Sequence, residues 1–256
     1  MTTLQKTLHF DQLDVEIYAD NNSLGAAAAQ EATAILQRAI REKGYANAIL
    51  ATGNSQITML SQLALADVDW SKVSLFHMDE YIGLSPTHSA SFRRFLREKI
   101  VDKVYPGAFY GVEGDAPNAE AECYRYASLL RRFPPDLCCL GIGENGHIAF
   151  NDPPFADFDD PVLAKIVALD EISRRQQVGE GHFPSLVTVP THAITLTIPA
   201  LLAAKRMLCI VPETRKAVPV KAALTGPITV TCPASILRSA PHARLYLDLD
   251  AASLLV

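Results

Sequence analysis

The stretch DLCCLGIGENGHIAFNDP, Asp136 to Pro153, indicates how this chain folds. It begins with an apolar run, Leu137 to Leu140, which is typical of a strand buried on both faces of a parallel sheet. The run ends at three glycines, Gly141, Gly143 and Gly146, where the backbone can turn sharply and approach a ligand closely. The turn carries the polar residues Glu144, Asn145, His147, Asn151 and Asp152. Because ligands bind beyond the carboxyl ends of strands in open α/β sheets, we interpret this turn as a candidate site.

Length and composition favour a large α/β domain. Its 256 residues, 49% of them hydrophobic, allow one large α/β domain or two small ones with a substantial core, and we favour one domain over residues 1–256. The net charge of -5 argues against nucleic acid as the main partner. Five cysteines without CxxC or Cys/His spacing favour a reducing cytoplasm and give no support for a metal site. The N-terminus alternates polar and apolar residues, so we expect neither a signal peptide nor a membrane span.

Strand-like and helix-like segments alternate, which predicts a mostly parallel sheet with helices on both faces. We expect strands at Leu8 to Ala19, Ala46 to Ala51, Val73 to Phe76, Leu137 to Leu140, Ala193 to Thr197, Met207 to Val211 and Arg244 to Leu249. We expect helices from Asn21 to Gly44, around Met59 to Leu65, from Ser91 to Ile100, from about Asn118 to Arg132, at Leu201 and Leu202, and from Glu213 to Leu224. We expect two segments to be irregular. One is PFADFDDP, which would form a surface loop or a lid, and the other runs from Arg174 to Pro184.

A second candidate segment follows the strand at Ala46 to Ala51. Thr52, Gly53, Asn54 and Ser55 stand between that strand and a helix, where free backbone N–H groups and the helix dipole favour an anion. An ordinary capped turn would need only one of the two hydroxyl groups, those of Thr52 and Ser55, that this segment carries. The segment therefore favours phosphate or a similar anion.

Adjacent carboxylates, Asp79 and Glu80, end the strand that begins at Val73. Such a pair can contain a general base, although carboxylates also cap helices and face water. Arg215 and Lys216 stand in the first turn of a predicted helix, where cations oppose the helix dipole, so they are better explained by a bound anion. Right-handed crossovers bring the ends of neighbouring strands to one rim of the sheet. We therefore expect Thr52 to Ser55, Asp79 and Glu80, and Asn145 to Asp152 to meet in one crevice.

Four stretches resemble, in order and spacing, the glucosamine-6-phosphate deaminase (isomerase) family. They are LATGNSQITML (Leu50–Leu60), FHMDEYIGLSPTHSASF (Phe76–Phe92), GIGENGHIAFNDP (Gly141–Pro153) and VPTHAITLTI (Val189–Ile198). The related 6-phosphogluconolactonases characteristically have DER in place of DEY and continue GHTAS after the glycine-histidine pair. Tyr81 and the residues Ile148 to Asn151 therefore favour the deaminase side.

The resemblance implies a modified Rossmann-type fold and conversion of glucosamine 6-phosphate to fructose 6-phosphate plus ammonia, without a redox cofactor. Asp79 would move a proton between C2 and C1, and His147 would assist ring opening with Asp152 as its acidic partner and Asn145 orienting the ring. The small-molecule phosphosugar would contact Thr52, Gly53, Asn54, Ser55, Glu80, Lys216 and Arg175. No metal, nucleic acid or membrane is implied, and a homo-oligomer stays open.

The sequence departs from the family pattern at several positions. Asn145 stands where the family often has Asp, and Asp152 stands where Glu is usual, one carbon longer. The segment that carries the family's phosphate-binding arginine reads RRQQVGEGHFPSL before Val189, which leaves Arg175 or His182 as candidates. The basic residues used for allosteric control in some members are absent around PFADFDDP, so we predict no such activation. A 6-phosphogluconolactonase-type hydrolase and a non-catalytic sugar-phosphate-binding regulator remain alternatives.

Overall fold

The computed structural model of the chain describes residues 3–153 and 155–255. The strands are β1 (Leu4–Phe10), β2 (Leu13–Tyr18), β3 (Ala46–Leu50), β4 (Val73–His77), β5 (Asp79–Tyr81), β6 (Ala108–Tyr110), β7 (Leu137–Leu140), β8 (Ala164–Ala168), β9 (His192–Leu196), β10 (Arg206–Val211) and β11 (Ala243–Asp248). The helices are α1 (Asn21–Lys43), α2 (Ile57–Leu63), α3 (Phe92–Leu96), α4 (Asp102–Val104), α5 (Ala119–Arg132), α6 (Glu171–Gly179), α7 (Ile198–Leu202) and α8 (Ala217–Thr225). Arg97–Val101 forms a π-helical turn, and short 3-10 helices cover Asn54–Gln56, Trp70–Lys72, Leu186–Thr188, Thr214–Lys216 and Pro233–Ser239.

An eight-stranded sheet with the order β1-β2-β11-β10-β7-β3-β4-β6 forms the centre of the molecule. All its neighbouring strands run parallel except β1 and β2, which pair antiparallel. The α/β prediction with a mostly parallel sheet is confirmed. The central strands read as continuous apolar runs because both of their faces are covered.

The side chains of β7 show how the two faces are buried. Cys138 and Leu140 pack in a core cluster that includes residues of α5 and α8. Leu137 and Cys139, which point to the opposite face, pack in a second cluster with residues of α1 and α2. Successive residues of a strand alternate between faces, so helices must cover both sides of this sheet.

The longest helix of the described chain, α1, spans the predicted residues to within one position, and its N-cap is Asp20. The side chain of Asp20 accepts a hydrogen bond from the Ser23 N–H at 2.7 Å, which caps the first turn. At the other end Gly44, with φ of 83°, lets its N–H reach the Ile40 carbonyl at 2.9 Å. Within residues 3–153 and 155–255, this helix and the others are too short or too polar to cross a membrane.

A second sheet of three antiparallel strands, ordered β5-β9-β8, was not predicted. The strand expected at Ala193 to Thr197 forms as β9, but it belongs to this small sheet instead of the parallel one. The small sheet places Asp79 opposite Thr195 and joins β5 to the chain far beyond it. Such pairing depends on contacts between distant segments, which a local pattern does not contain.

Two other sequence expectations are wrong. Leu8 to Ala19 is not one strand, because Asp11, with φ of 52°, turns the chain between β1 and β2. The segment from Arg174 to Pro184 is not wholly irregular, because α6 continues to Gly179. In PFADFDDP, residues 155–161 have no helix or strand, and Pro154 lies outside the described residues.

Candidate active site

One cleft of about 610 Å³, including its open mouth, lies at the carboxyl ends of β3, β4 and β7. It is lined by Thr52–Ser55 after β3, Asp79 after β4 and His147 in the turn after β7. Lys216, which follows β10, lies on its wall. The structure therefore brings together the three polar segments that the sequence predicts to meet.

A buried glutamine, Gln56, holds the loop Thr52–Ser55 in position through hydrogen bonds. The Gln56 side-chain amide donates to the Ser55 hydroxyl at 3.0 Å and to the Ile210 carbonyl of β10 at 3.2 Å. Gly53 has φ of 98°, a backbone conformation that favours glycine. The loop thus turns at the cleft floor in a conformation that its own sequence and β10 maintain.

Asp79 is a buried carboxyl group on the cleft wall. Asp79 is 7% exposed and lines the cleft at the start of β5. Burial raises the pKa of Asp79 well above its usual value, and the nearby charges of Glu80 and Asp152 raise it further. A carboxylate with a raised pKa is a stronger base than an ordinary aspartate, so Asp79 is suited to proton transfer.

His147 is held by acceptors on one edge of its ring. Its Nδ1 lies 2.7 Å from Asn145 Oδ1 and 2.9 Å from Asp152 Oδ1. The Asn145 amide also donates to Asp152 Oδ1 at 2.9 Å, which ties the two partners together. From these contacts we assign the ring proton to Nδ1, which leaves Nε2 with a lone pair for proton exchange in the cleft.

Asp152 is ionised in this arrangement. Burial alone would raise its pKa, but the hydrogen bond and charge of His147, the Asn145 amide and the Asp170 N–H hold the pKa at about 2. The direct contact with His147 shows that the aspartate reaches the ring although it is one carbon shorter than glutamate. A carboxylate here stabilises the imidazolium form that would arise when His147 takes a proton.

Gly143 is required by the position of the His147 ring. A Cβ at this residue would lie 2.1 Å from His147 Cε1, so any side chain would displace the ring. The Gly143 N–H also donates to the His147 carbonyl at 2.9 Å, which closes the turn. The glycine-rich sequence after β7 therefore serves the placement of His147.

Lys216 and Arg215 have different surroundings although they are adjacent. Lys216 is 3% exposed, and no ion pair or side-chain hydrogen bond joins its Nζ to another part of the described chain. Arg215 instead pairs with Glu180 at 2.8 Å and Glu144 at 3.3 Å, and its Nε donates to Glu213 at 2.6 Å. The structure fits an anion contact for Lys216, whereas Arg215 is already engaged by carboxylates.

Glu80 is not a substrate-binding residue, which corrects the sequence prediction. Its carboxylate is fully buried and accepts from the Ser91 hydroxyl at 2.8 Å, the Phe92 N–H at 3.1 Å and the Arg93 N–H at 3.0 Å. Adjacent residues of a strand point to opposite sides, so Asp79 faces the cleft while Glu80 faces the start of α3. Arg93 lies beside it, with its Nε 3.5 Å from Glu80 Oε2.

We expect Glu80→Ala to lower the free energy of unfolding by about 3 kcal/mol, because it leaves buried donors and the Arg93 guanidinium without their carboxylate. Urea unfolding measures this change. The control is Glu98→Ala, which removes an exposed carboxylate paired with Arg94 and should leave the midpoint nearly unchanged. Equal midpoints for both variants would contradict the capping role of Glu80.

Arg175 does not lie at the cleft, where the sequence resemblance placed it as a contact of the phosphosugar. Its side chain is exposed, pairs with Glu171 one helical turn earlier and does not line the cleft. The residues of this segment that do line the cleft are Gln176, Gln177 and Glu180. His182, the other candidate, pairs with Glu180 at 3.4 Å and lies outside the lining.

The three cleft residues of this segment were missed because it was expected to be irregular. A signal for α6 existed in the sequence: Asp170 caps its first turn by accepting from the Ile172 N–H, and Glu171 follows. A helix starting there places Gln176 and Glu180 four residues apart on one face. The Gln176 amide indeed donates to Glu180 at 2.8 Å.

Known proteins resemble the chain along most of its sequence. A glucosamine-6-phosphate deaminase from Listeria monocytogenes serotype 4b (strain CLIP80459) is 35% identical over 232 residues, 90% of this chain and 96% of that protein. One from Exiguobacterium sp. (strain ATCC BAA-1283 / AT1b) is 36% identical over 236 residues, 91% of each chain.

Solved structures show the same fold. A monomeric glucosamine-6-phosphate deaminase matches with a TM-score of 0.85 and 29% identity, over 94% of this chain and 99% of that one. A 6-phosphogluconolactonase from Shewanella baltica OS155 matches with a TM-score of 0.76 and 20% identity, over 91% and 96%, which shows the fold alone. The family described as glucosamine-6-phosphate isomerases/6-phosphogluconolactonase matches residues 19–246. This chain therefore belongs to the family of glucosamine-6-phosphate isomerases and 6-phosphogluconolactonases.

Proposed function

We propose that this protein converts glucosamine 6-phosphate and water to fructose 6-phosphate and ammonia. The observation that carries the proposal is that Asp79 and His147 line one cleft together with the Thr52–Ser55 loop and Lys216. These residues would supply a base, a proton shuttle and an anion subsite. Relatives 35% and 36% identical to this chain carry the name of this activity, which supports the same choice.

The phosphate is proposed to bind between the Thr52–Ser55 loop and Lys216. The loop runs into the helical residues Asn54–Gln56 and then α2, and the dipole at the N-terminal end of a helix favours an anion. Lys216 supplies a buried positive charge without a competing ion pair in the described residues. This end of the cleft would hold the sugar by a group that does not react.

His147 is proposed to open the sugar ring. Its Nε2 would take the proton of the anomeric hydroxyl and return a proton to the ring oxygen as the C1–O bond breaks. Asp152 and Asn145, which hold Nδ1, would keep the ring oriented through both transfers. General acid–base help of this kind contributes about 10² to 10⁴-fold per positioned group.

Asp79 is proposed to move the proton between the two carbons. The carboxylate would remove the proton from C2 of the open-chain aldehyde while the aldehyde oxygen takes a proton from the substrate's own ammonium group, which gives an enolamine. Return of the first proton from Asp79 to C1 then gives the protonated imine at C2. Water then adds to the C2 imine and ammonia leaves, which yields the ketose. No electron is gained or lost overall, so this sequence needs no redox partner.

We expect kcat/KM to fall on acidification with an apparent pKa well above that of an ordinary aspartate. The base must be ionised to accept a proton, and burial, followed by the charges of Glu80 and Asp152, raises the pKa of Asp79. Measurement of kcat/KM over a range of pH gives the apparent pKa of this acidic limb of the profile. A limb near the ordinary aspartate pKa of about 3.9 would contradict a raised pKa for the base.

The proposal is tested with a panel of phosphorylated sugars and amino sugars assayed for ammonia and ketose. Equal amounts of both products from glucosamine 6-phosphate support it. Acid production from 6-phosphogluconolactone without ammonia would replace it with a lactone hydrolase. Thermal stabilisation by hexosamine 6-phosphates without turnover would replace it with a binding regulator.

We further propose that residues 1–256 form a single domain that works in the cytoplasm with a small phosphosugar as its partner. The two core clusters lie on opposite faces of one sheet, which supports a single domain. The four described cysteines in strands or α5 are free and buried, as a reducing compartment favours.

A further inference from the structure

A carboxylate occupies the same end of the cleft as the unpaired lysine. Glu180 and Lys216 both line the cleft that the Thr52–Ser55 loop lines. No ion pair joins the two side chains in the described structure, although the charge of Glu180 acts on Lys216. A phosphate that contacts Lys216 would therefore meet a negative charge as well as a positive one.

The Glu180 carboxylate is firmly held in place. The Gln176 amide donates to it at 2.8 Å, Arg215 Nη1 lies 2.8 Å from it, and His182 Nε2 lies 3.4 Å away. Burial alone would raise its pKa, but these hydrogen bonds and the charges of Arg215 and Lys216 hold the pKa at about 2. Its side chain is 6% exposed, so water screens its charge poorly.

The charges around Glu180 do not cancel. Arg215 contacts three carboxylates, those of Glu144, Glu180 and Glu213, and Lys216 is the second cation of the group. Three carboxylates and two cations leave one negative charge while His182 is neutral. A phosphate dianion would add two more negative charges to this group, which electrostatics disfavours.

We propose that Glu180 weakens phosphate binding in this cleft through charge repulsion. The inference rests on the proposed function only in assigning the phosphate to the Lys216 end. Because the phosphate takes no part in the bond changes, the repulsion acts equally on the bound substrate and the transition state. Glu180 therefore raises KM and leaves kcat nearly unchanged.

The test measures the binding of inorganic phosphate at pH 8 by calorimetry. Glu180→Gln removes the charge and keeps an oxygen that can accept from Arg215, so we expect the Kd to fall about tenfold, or 1.4 kcal/mol. The matched control is Glu171→Gln, which removes an exposed carboxylate of the same helix, α6, that pairs with Arg175 outside the cleft lining. It should change the Kd less than twofold.

Glu180→Ala, which also lacks the charge, must shift the Kd in the same direction. Phosphate binding by both Glu180 variants that is no tighter than in the wild type, including no binding in any of them, overturns the proposal. Sulfate, a second dianion, should follow phosphate. This measurement needs no turnover, so tighter phosphate binding in a protein that releases no ammonia would overturn the proposed function while sustaining the role of Glu180.

Discussion

Asp79→Asn is expected to lower kcat for ammonia release by about 10² to 10⁴-fold. Asparagine preserves the shape of the side chain but cannot accept the C2 proton. Asp79 lines the cleft, and no second carboxylate with a raised pKa does so in the described part of the chain, since Glu180 stays ionised with a pKa of about 2. The loss should therefore appear in kcat and in kcat/KM equally.

The same variant should be as stable as the wild type or more stable. An acid whose pKa is raised by folding binds more protons in the folded state, so its ionisation costs stability as pH rises above the unfolded value. Burial raises the pKa of Asp79, which means that its charge is unfavourable at neutral pH. Removing that charge relieves the cost, and a thermal unfolding midpoint that is equal or higher would show it.

Asp67→Asn is the matched control, because Asp67 is exposed and does not line the cleft. It should leave kcat, KM and the unfolding midpoint unchanged. Full activity in Asp79→Asn would remove the assigned base. A large fall in its unfolding midpoint would mean that Asp79 stabilises the fold, in conflict with the sign of its pKa shift.

The turn after β7 could be predicted because its signals are local. The apolar run, the glycines and the polar residues lie within one short stretch, and the structure places His147 at the cleft with Asn145 and Asp152 behind it. The Thr52–Ser55 loop was predicted for the same reason. In both cases a strand end, a glycine and a helix start define the position of the side chains.

Glu80 and Glu180 show what a local pattern does not contain. The sequence places Glu80 beside Asp79, but which of the two faces the cleft depends on the pairing of β5 with β9. Glu180 enters the cleft because α6 packs beside the loop that carries Glu144, as the hydrogen bond from the Glu144 N–H to Gln176 shows. Both arrangements arise from contacts between segments far apart in the chain.

His147→Ala is expected to lower kcat for the ring-closed sugar by about 10² to 10⁴-fold, with partial recovery when imidazole is added. The variant removes the only histidine that lines the cleft in the described structure. The wild-type ring lies directly against Gly143, so its removal leaves an empty space beside this glycine. Imidazole entering this space would find Asp152 and Asn145 still in place to orient it.

Imidazole separates the two proposed roles, since it replaces a proton shuttle but not a carboxylate. We therefore expect recovery in His147→Ala and none in Asp79→Asn. His192→Ala serves as the matched control, because His192 is exposed and lies outside the cleft lining, and it should keep full activity. Wild-type rates in His147→Ala without imidazole would mean that the ring opens without this residue. The contacts of Asp152 and Asn145 would then account only for the structure of the turn.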